Sequence, residues 1–223
     1  MRRGTFRDET VDYAAVGGTQ ADDLLQYPPE KSIPAAEELR IGSGEERFRA
    51  AAEELLSWAA QRGAQLQVLE VRPAAGPAYT GVSFDGEGRP IAPAGMDGGE
   101  RFGESEQRFD AEGTPLVSAG ATVRLQGRAH GHHAGGELRV IFVVEEQRRV
   151  GFALGTVGGS VVSGEESFMI EWRENDEVWF TVRAFDRPTR PLGRMFPGLI
   201  RRRRRALFDR YLRAISPLFA TPS

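Results

Sequence analysis

Residues 138–185 read L-R-V-I-F-V-V-E-E-Q-R-R-V-G-F-A-L-G-T-V-G-G-S-V-V-S-G-E-E-S-F-M-I-E-W-R-E-N-D-E-V-W-F-T-V-R-A-F. Four runs in it, Leu138–Glu145, Val150–Val157, Ser167–Arg173 and Val178–Phe185, are rich in Val, Ile, Phe and Trp. Short polar segments separate them, among them Glu146-Gln147-Arg148 and Glu174-Asn175-Asp176. Successive β-prone runs joined by such turns pair as an antiparallel meander. No helix interrupts them, so a β-α-β doubly wound sheet is excluded.

Downstream, Pro197 suits the first turn of a helix that runs to about Ser216, with Pro217 ending it. Upstream, Leu66 and Val68 alternate with Gln65 and Gln67, and Ala121, Val123 and Leu125 alternate with polar residues, which predicts further half-buried strands. A helix is expected after Ser43, where Ser43 and Glu46 have capping-box spacing, Phe48, Ala52, Leu55, Leu56 and Ala59 recur helically, and Gly63 supplies the stop. Residues 11–16 read as a first strand closed by Gly17-Gly18, and the proline-bearing stretch 20–41 as an irregular connection. Between the alternating strands, F-D-G-E-G-R-P from Phe84 and F-D-A-E-G-T-P from Phe109 repeat one turn signature. Residues 84–118 therefore read as a loop-rich insertion with two similar hairpin turns, and the glycine-rich segment from Met96 to Gln107 as its mobile part. The 223 residues are read as one α+β domain, a curved antiparallel sheet with a long C-terminal helix and one helix nearer the N-terminus.

Composition removes several functions. Without cysteine there are no disulfides, thiolate metal sites or cysteine nucleophiles. A net charge of −3 argues against nucleic-acid binding by the whole protein. No apolar run reaches the roughly 18–20 residues that span a bilayer, and no secretory leader is visible, so a cytoplasmic protein is expected. Lys31 is the only lysine among many arginines, a bias that weakens inference from single arginines.

The run G-F-A-L-G-T-V-G-G-S-V-V-S-G-E-E-S-F, with V-W-F-T-V-R-A-F and R-Y-L-R-A-I after it and V-G-G-T and I-G-S-G before it, resembles an uncharacterised bacterial and plant family bearing only a domain-of-unknown-function label. That family is similar to the START and birch-pollen-allergen superfamily, in which a curved sheet grips a C-terminal helix round an apolar cavity. The resemblance implies that fold and a small apolar ligand. It covers nearly the whole chain, least well from Ala74 to Gly136. The family's histidine after the G-T-x-x-G run is replaced here by Ser160, so a role resting on it does not carry over.

Among candidate residues, Arg201 to Arg205 stand out, because five consecutive arginines point all round a helix axis. The apolar stripe Phe196, Ile200, Leu207, Tyr211 and Ile215 turns Arg203 or Arg204 inward, either as a ligand-anion seat or as half of a structural ion pair. Glu165-Glu166 precedes the Phe168 strand, and alternation puts Glu166 on the apolar face with Phe168, Ile170 and Trp172. Its expected partners are Arg203, Arg204 and Arg183. The rings of Phe142, Phe152, Phe168, Trp172, Trp179, Phe180 and Phe185 either pack a core or line a cavity, Trp179 and Phe180 facing opposite sides. His130, His132 and His133 read as a polar turn, because Gly131, Gly135 and Gly136 make that segment a loop, and Asp85, Glu87, Asp110 and Glu112 read as turn carboxylates without the remaining ligands of a calcium loop. Gly155, Gly158, Gly159 and Gly164 form no phosphate loop, because no helix follows them.

The expected function is binding of a small, mainly apolar ligand in an internal cavity, without cofactor or metal, polarity coming from Glu166 and Arg203 or Arg204. The alternatives are a cyclase- or hydrolase-type enzyme using Glu166 as acid or base, and a structural or interaction protein with a filled core. No nucleophile–base pair is visible, which favours binding over catalysis.

Overall fold

The computed structural model describes residues 11–73, 83–84, 90–91, 108–110, 113, 115–127, 136–158, 162–189 and 197–217. Strand β1 (Ile33–Ser43) leads into helices α1 (Glu45–Leu56) and α2 (Ala59–Gly63), then strand β2 (Leu66–Arg72). Two short strands follow, β3 (Ser83–Phe84) and β4 (Pro90–Ile91). The meander is β5 (Thr122–Gly127), β6 (Gly136–Glu146), β7 (Arg149–Thr156), β8 (Val162–Trp172) and β9 (Glu177–Pro188), and helix α3 (Pro197–Ile215) closes the chain. Seven strands form one antiparallel sheet in the order β1-β9-β8-β7-β6-β5-β2. Its inner face holds α3 in the helix-grip arrangement that the resemblance implied, Tyr211 of α3 meeting Phe168 edge-on at 5.0 Å.

Alternation along β8 and β9 assigns the faces. Phe168, Ile170, Val178, Phe180, Val182 and Ala184 are buried toward the helices, with Phe152 of β7. Phe152, Phe168, Tyr211 and Phe208 form a continuous set of ring contacts, and Trp58 meets Phe152 at 5.6 Å. A smaller apolar cluster of Ile141, Phe142, Ala153 and Met169 lies on the outer face, packed against Val11 and Val144. Among the described residues no helix is long and apolar enough to cross a membrane.

Several expectations are corrected. Residues 11–16 form no strand. They are a strap on the outer face, where Val11 joins the outer cluster and Tyr13 meets Phe185 edge-on at 5.6 Å. The proline-bearing stretch ends in strand β1, because β1 is an edge strand and Pro34 withholds a donor the sheet edge does not need. Ser43 closes β1; the α1 N-cap is Gly44 at φ 84°, with no side-chain cap, so the capping box does not form. The expected single helix breaks at Trp58, whose φ of 66° turns the indole into the core, where its Nε1 donates to the Pro115 carbonyl at 2.9 Å. Strand β8 begins at Val162, so Glu165 and Glu166 lie within it rather than ahead of it. In the two copies of the repeat, Phe84 pairs with Pro90 and Phe109 with Pro115, each six residues apart, and Gly113 in the second copy has φ 78°. The expected mobile segment, the three histidines, Asp85, Glu87, Glu112, Ser160 and Phe196 lie outside the described residues.

Gly63 does not act as a left-handed helix stop. A Cβ there would overlap the Cβ of Ala214, so Gly63 permits the close approach of α2 to α3. Helix propensity alone would make Gly63→Ala stabilising by about 0.5–1 kcal/mol. The overlap predicts the opposite sign, a loss of about 1–3 kcal/mol, measurable by urea denaturation.

Candidate functional site

Strand β8 places Glu165 and Glu166 on opposite faces of the sheet. Glu166 points inward with Ala184 and Asp186 of β9, and all three are buried. Arg204 is the member of the arginine run that turns inward, whereas Arg201, Arg202, Arg203 and Arg205 are exposed. Arg204 pairs with the Asp186 carboxylate at 2.5 Å, a partner that the sequence expectation did not name; the two side chains are 2% and 5% exposed. Arg204 Nη1 also donates to the Ile33 carbonyl at 2.7 Å, joining α3 to the start of β1. Glu166 faces the Tyr211 hydroxyl, whose pKa is pushed well up by burial and then by the Glu166 charge. The void beside Glu166 and Asp186 measures ≈ 10 Å³, about the room of one water.

Glu165 points outward and holds the strap. Its Oε2 accepts from the Tyr13 hydroxyl at 2.8 Å and the Gly17 amide at 2.7 Å, its Oε1 from the Thr19 hydroxyl at 2.6 Å and the Thr19 amide at 3.1 Å. Burial raises the Glu165 pKa above its ordinary value, and these four donors oppose that rise. Tyr13 is raised too, first by burial and then by the Glu165 charge. The neighbours fit this clamp. Gly155, opposite Glu165, leaves the space that the Tyr13 hydroxyl occupies, and Gly18 lies against the Phe185 ring. The V-G-G-T motif at Val16 is thus the strap's docking element, a role that sequence spacing did not reveal.

Register sorts the outer face into cross-strand rows. Arg149, Glu171, Trp179 and Arg40 form the first, then Gly151, Met169, Thr181 and Glu38, then Ala153, Ser167, Arg183 and Ala36. Gly155, Glu165, Phe185 and Pro34 form the fourth, beneath the strap. Small side chains in the middle rows keep the floor low, while the long side chains of Arg149, Glu171 and Arg173 rise at one end and Thr19, Gln20 and Asp22 at the other. The result is a cleft of ≈ 530 Å³. Arg183 stands in its floor, half-buried, and donates to the Ala21 carbonyl at 2.5 Å.

The predicted site residues therefore divide. Phe152, Phe168, Glu166 and Arg204 lie in the packed interior, and Arg183 lines the outer cleft. Trp172 stacks on Phe48 of α1 under the Arg148 guanidinium. Trp179 lies on the outer face under Arg173, 4.3 Å from its ring centroid, and Arg203 is exposed. Thr19, Arg149, Ser167 and Thr181 line the cleft and were not singled out by sequence; the run of small residues on alternate positions of β7 was the available signal.

A family model described as Domain of unknown function (DUF1990) matches residues 12–88 and 104–214, and the chain belongs to that family. A UPF0548 protein of Deinococcus radiodurans is 35% identical over 118 residues, 49% of this chain and 60% of that protein. A UPF0548 protein of Arabidopsis thaliana is 35% identical over 57 residues, 23% of this chain and 28% of that protein. The chain thus spans less than two thirds of either relative. Among solved structures, a hypothetical protein of Helicobacter pylori aligns at a TM-score of 0.46 and 6% identity, over 86% of this chain and 92% of that one. Truncated norcoclaurine synthase from Thalictrum flavum aligns at 0.45 and 9% identity, over 86% and 96%.

Two outcomes follow for the carboxylates. Arg204→Leu strands Asp186 in the core and should cost about 3–5 kcal/mol, while adding Asp186→Asn should recover much of it, a coupling read from a double-mutant cycle of urea midpoints. For Glu165, the folded pKa lies above the unfolded one, so the stability it contributes is full below the ordinary carboxylate pKa and declines as pH rises through the raised value. Wild-type stability relative to Glu165→Gln should therefore fall as pH rises above the ordinary carboxylate pKa; a relative gain with rising pH would contradict the assignment.

Proposed function

We propose that this member of the family is a small-molecule binding protein whose ligand occupies the outer cleft between the strap and the sheet. The observation that carries this reading is the cleft itself, whose ≈ 530 Å³ falls within the ~300–1,000 Å³ usual for ligand sites. Its floor combines apolar Met169 and Phe142 with hydroxyl and guanidinium groups, the mixture that orients a small ligand.

A second reading, an apolar ligand between sheet and α3, has the helix-grip arrangement and the buried Glu166–Tyr211 pair in its favour. It requires the Phe152–Phe168–Tyr211 contacts to open, since the void beside Glu166 has room for about one water. The outer cleft needs no such rearrangement and has the stronger support.

Ala36 lies in the cleft on the edge strand and is half-buried, so Ala36→Trp fills the site without entering the core. The purified chain, incubated with a metabolite extract and desalted, should retain a non-covalent adduct in native mass spectrometry that Ala36→Trp loses while still unfolding cooperatively. No adduct, or one indifferent to Ala36→Trp, contradicts the outer-cleft reading.

A further inference from the structure

Arg183 and Arg149 approach the cleft from different strands, β9 and β7. Among the described residues no carboxylate lies within ion-pair distance of Arg183, whose one hydrogen bond there goes to the Ala21 carbonyl. Burial pushes its pKa down, Asp22 opposes that, and the charge of Arg149 lowers it further. Both guanidinium groups line the same cleft, where the charges of Asp22 and Glu171 act on Arg183 against that of Arg149. On Arg149, Nε is buried and forms an ion pair with Glu171 Oε1 at 3.5 Å, without a hydrogen bond. Arg173, by contrast, is engaged: it donates to Glu38 at 2.8 Å and lies over Trp179.

Guanidinium donors taken out of water need acceptors, and a bidentate oxyanion matches their planar fork. We infer that the ligand of this cleft carries one carboxylate or phosphate group and that Arg183 and Arg149 are its seat. The inference rests on the small-molecule reading above and names the chemistry of that ligand. An oxyanion between the two arginines gives Arg149 Nε a hydrogen-bond acceptor. The same cleft carries Asp22, Glu37, Glu38 and Glu171 round its walls. That rim disfavours an extended polyanion such as a nucleic-acid strand, whose charges would run along it.

The test titrates the full chain with benzoate, phenyl phosphate and benzamide, probes that share a ring and differ in the charged group. Amide shifts in a two-dimensional nitrogen–proton spectrum locate the binding. Benzoate or phenyl phosphate should bind at residues of β8 and β9 on the outer face, whichever is tighter identifying the anion, with benzamide at least about tenfold weaker. Arg183→Gln and Arg149→Gln should each weaken the anion by about tenfold or more, and Arg183→Lys by less, since the charge stays while the fork is lost. If benzamide binds the cleft as tightly as benzoate and Ala36→Trp abolishes both, the cleft reading stands and the anion seat is refuted. Anion binding indifferent to both arginine changes refutes it as well. If no probe binds, the inference falls, and the cleft reading is judged by the adduct experiment alone.

Discussion

Two adjacent carboxylates on one buried strand have to point in opposite directions, and much of this molecule is arranged round that constraint. Side chains alternate along β8, so Glu165 goes to the outer face and Glu166 to the helix face. Neither is solvated. A buried carboxylate is costly without donors, and the chain meets the two needs differently. Glu165 collects four donors from a segment almost 150 residues away in sequence, which folds the strap onto the sheet. Glu166 sits among Tyr211, Asp186 and Arg204, where α3 crosses the end of β9.

The consequence is a molecule with two unlike faces. Inside, aromatic rings from β7, β8 and α3 fill the space that the sheet's curvature encloses, and the Arg204–Asp186 pair ties the helix to the sheet near β1. Outside, the same strands carry glycine, alanine and serine between longer polar residues, and the strap walls off one end. Volume therefore collects on the face opposite the one a gripped helix suggests. The arginines follow the same division: Arg204 neutralises an interior carboxylate, while Arg183 and Arg149 stand over the outer floor.

The meander and the terminal helix were legible because each is a strong periodic signal with clear turns. So was the inward arginine, since a five-residue run on an amphipathic helix leaves no alternative, and the structure selects Arg204 over Arg203. Its partner was not legible: Glu166 and Asp186 share a face across two strands, and only three-dimensional register brings Asp186 beside Arg204. The strap misled for a related reason. Val11 and Tyr13 alternate like a strand, yet their neighbours belong to side chains on the outer face rather than to a ladder. At Pro34 and Trp58 local rules were overridden by context, one by an edge position and the other by an indole with a carbonyl to reach. The cleft was hidden because it is written in small residues, which signal packing as readily as space.

The central claim is that Glu165 holds the Gly17–Thr19 part of the strap against the sheet, and amide hydrogen exchange at Gly17 and Thr19 tests it most directly. In the wild type both amides, bonded to Glu165, should exchange slowly. In Glu165→Ala both should exchange at rates near those of an unstructured chain, while the amides of β8 and β9 keep their protection. Unchanged protection at Gly17 and Thr19, or a loss spread evenly across the sheet, would contradict the account.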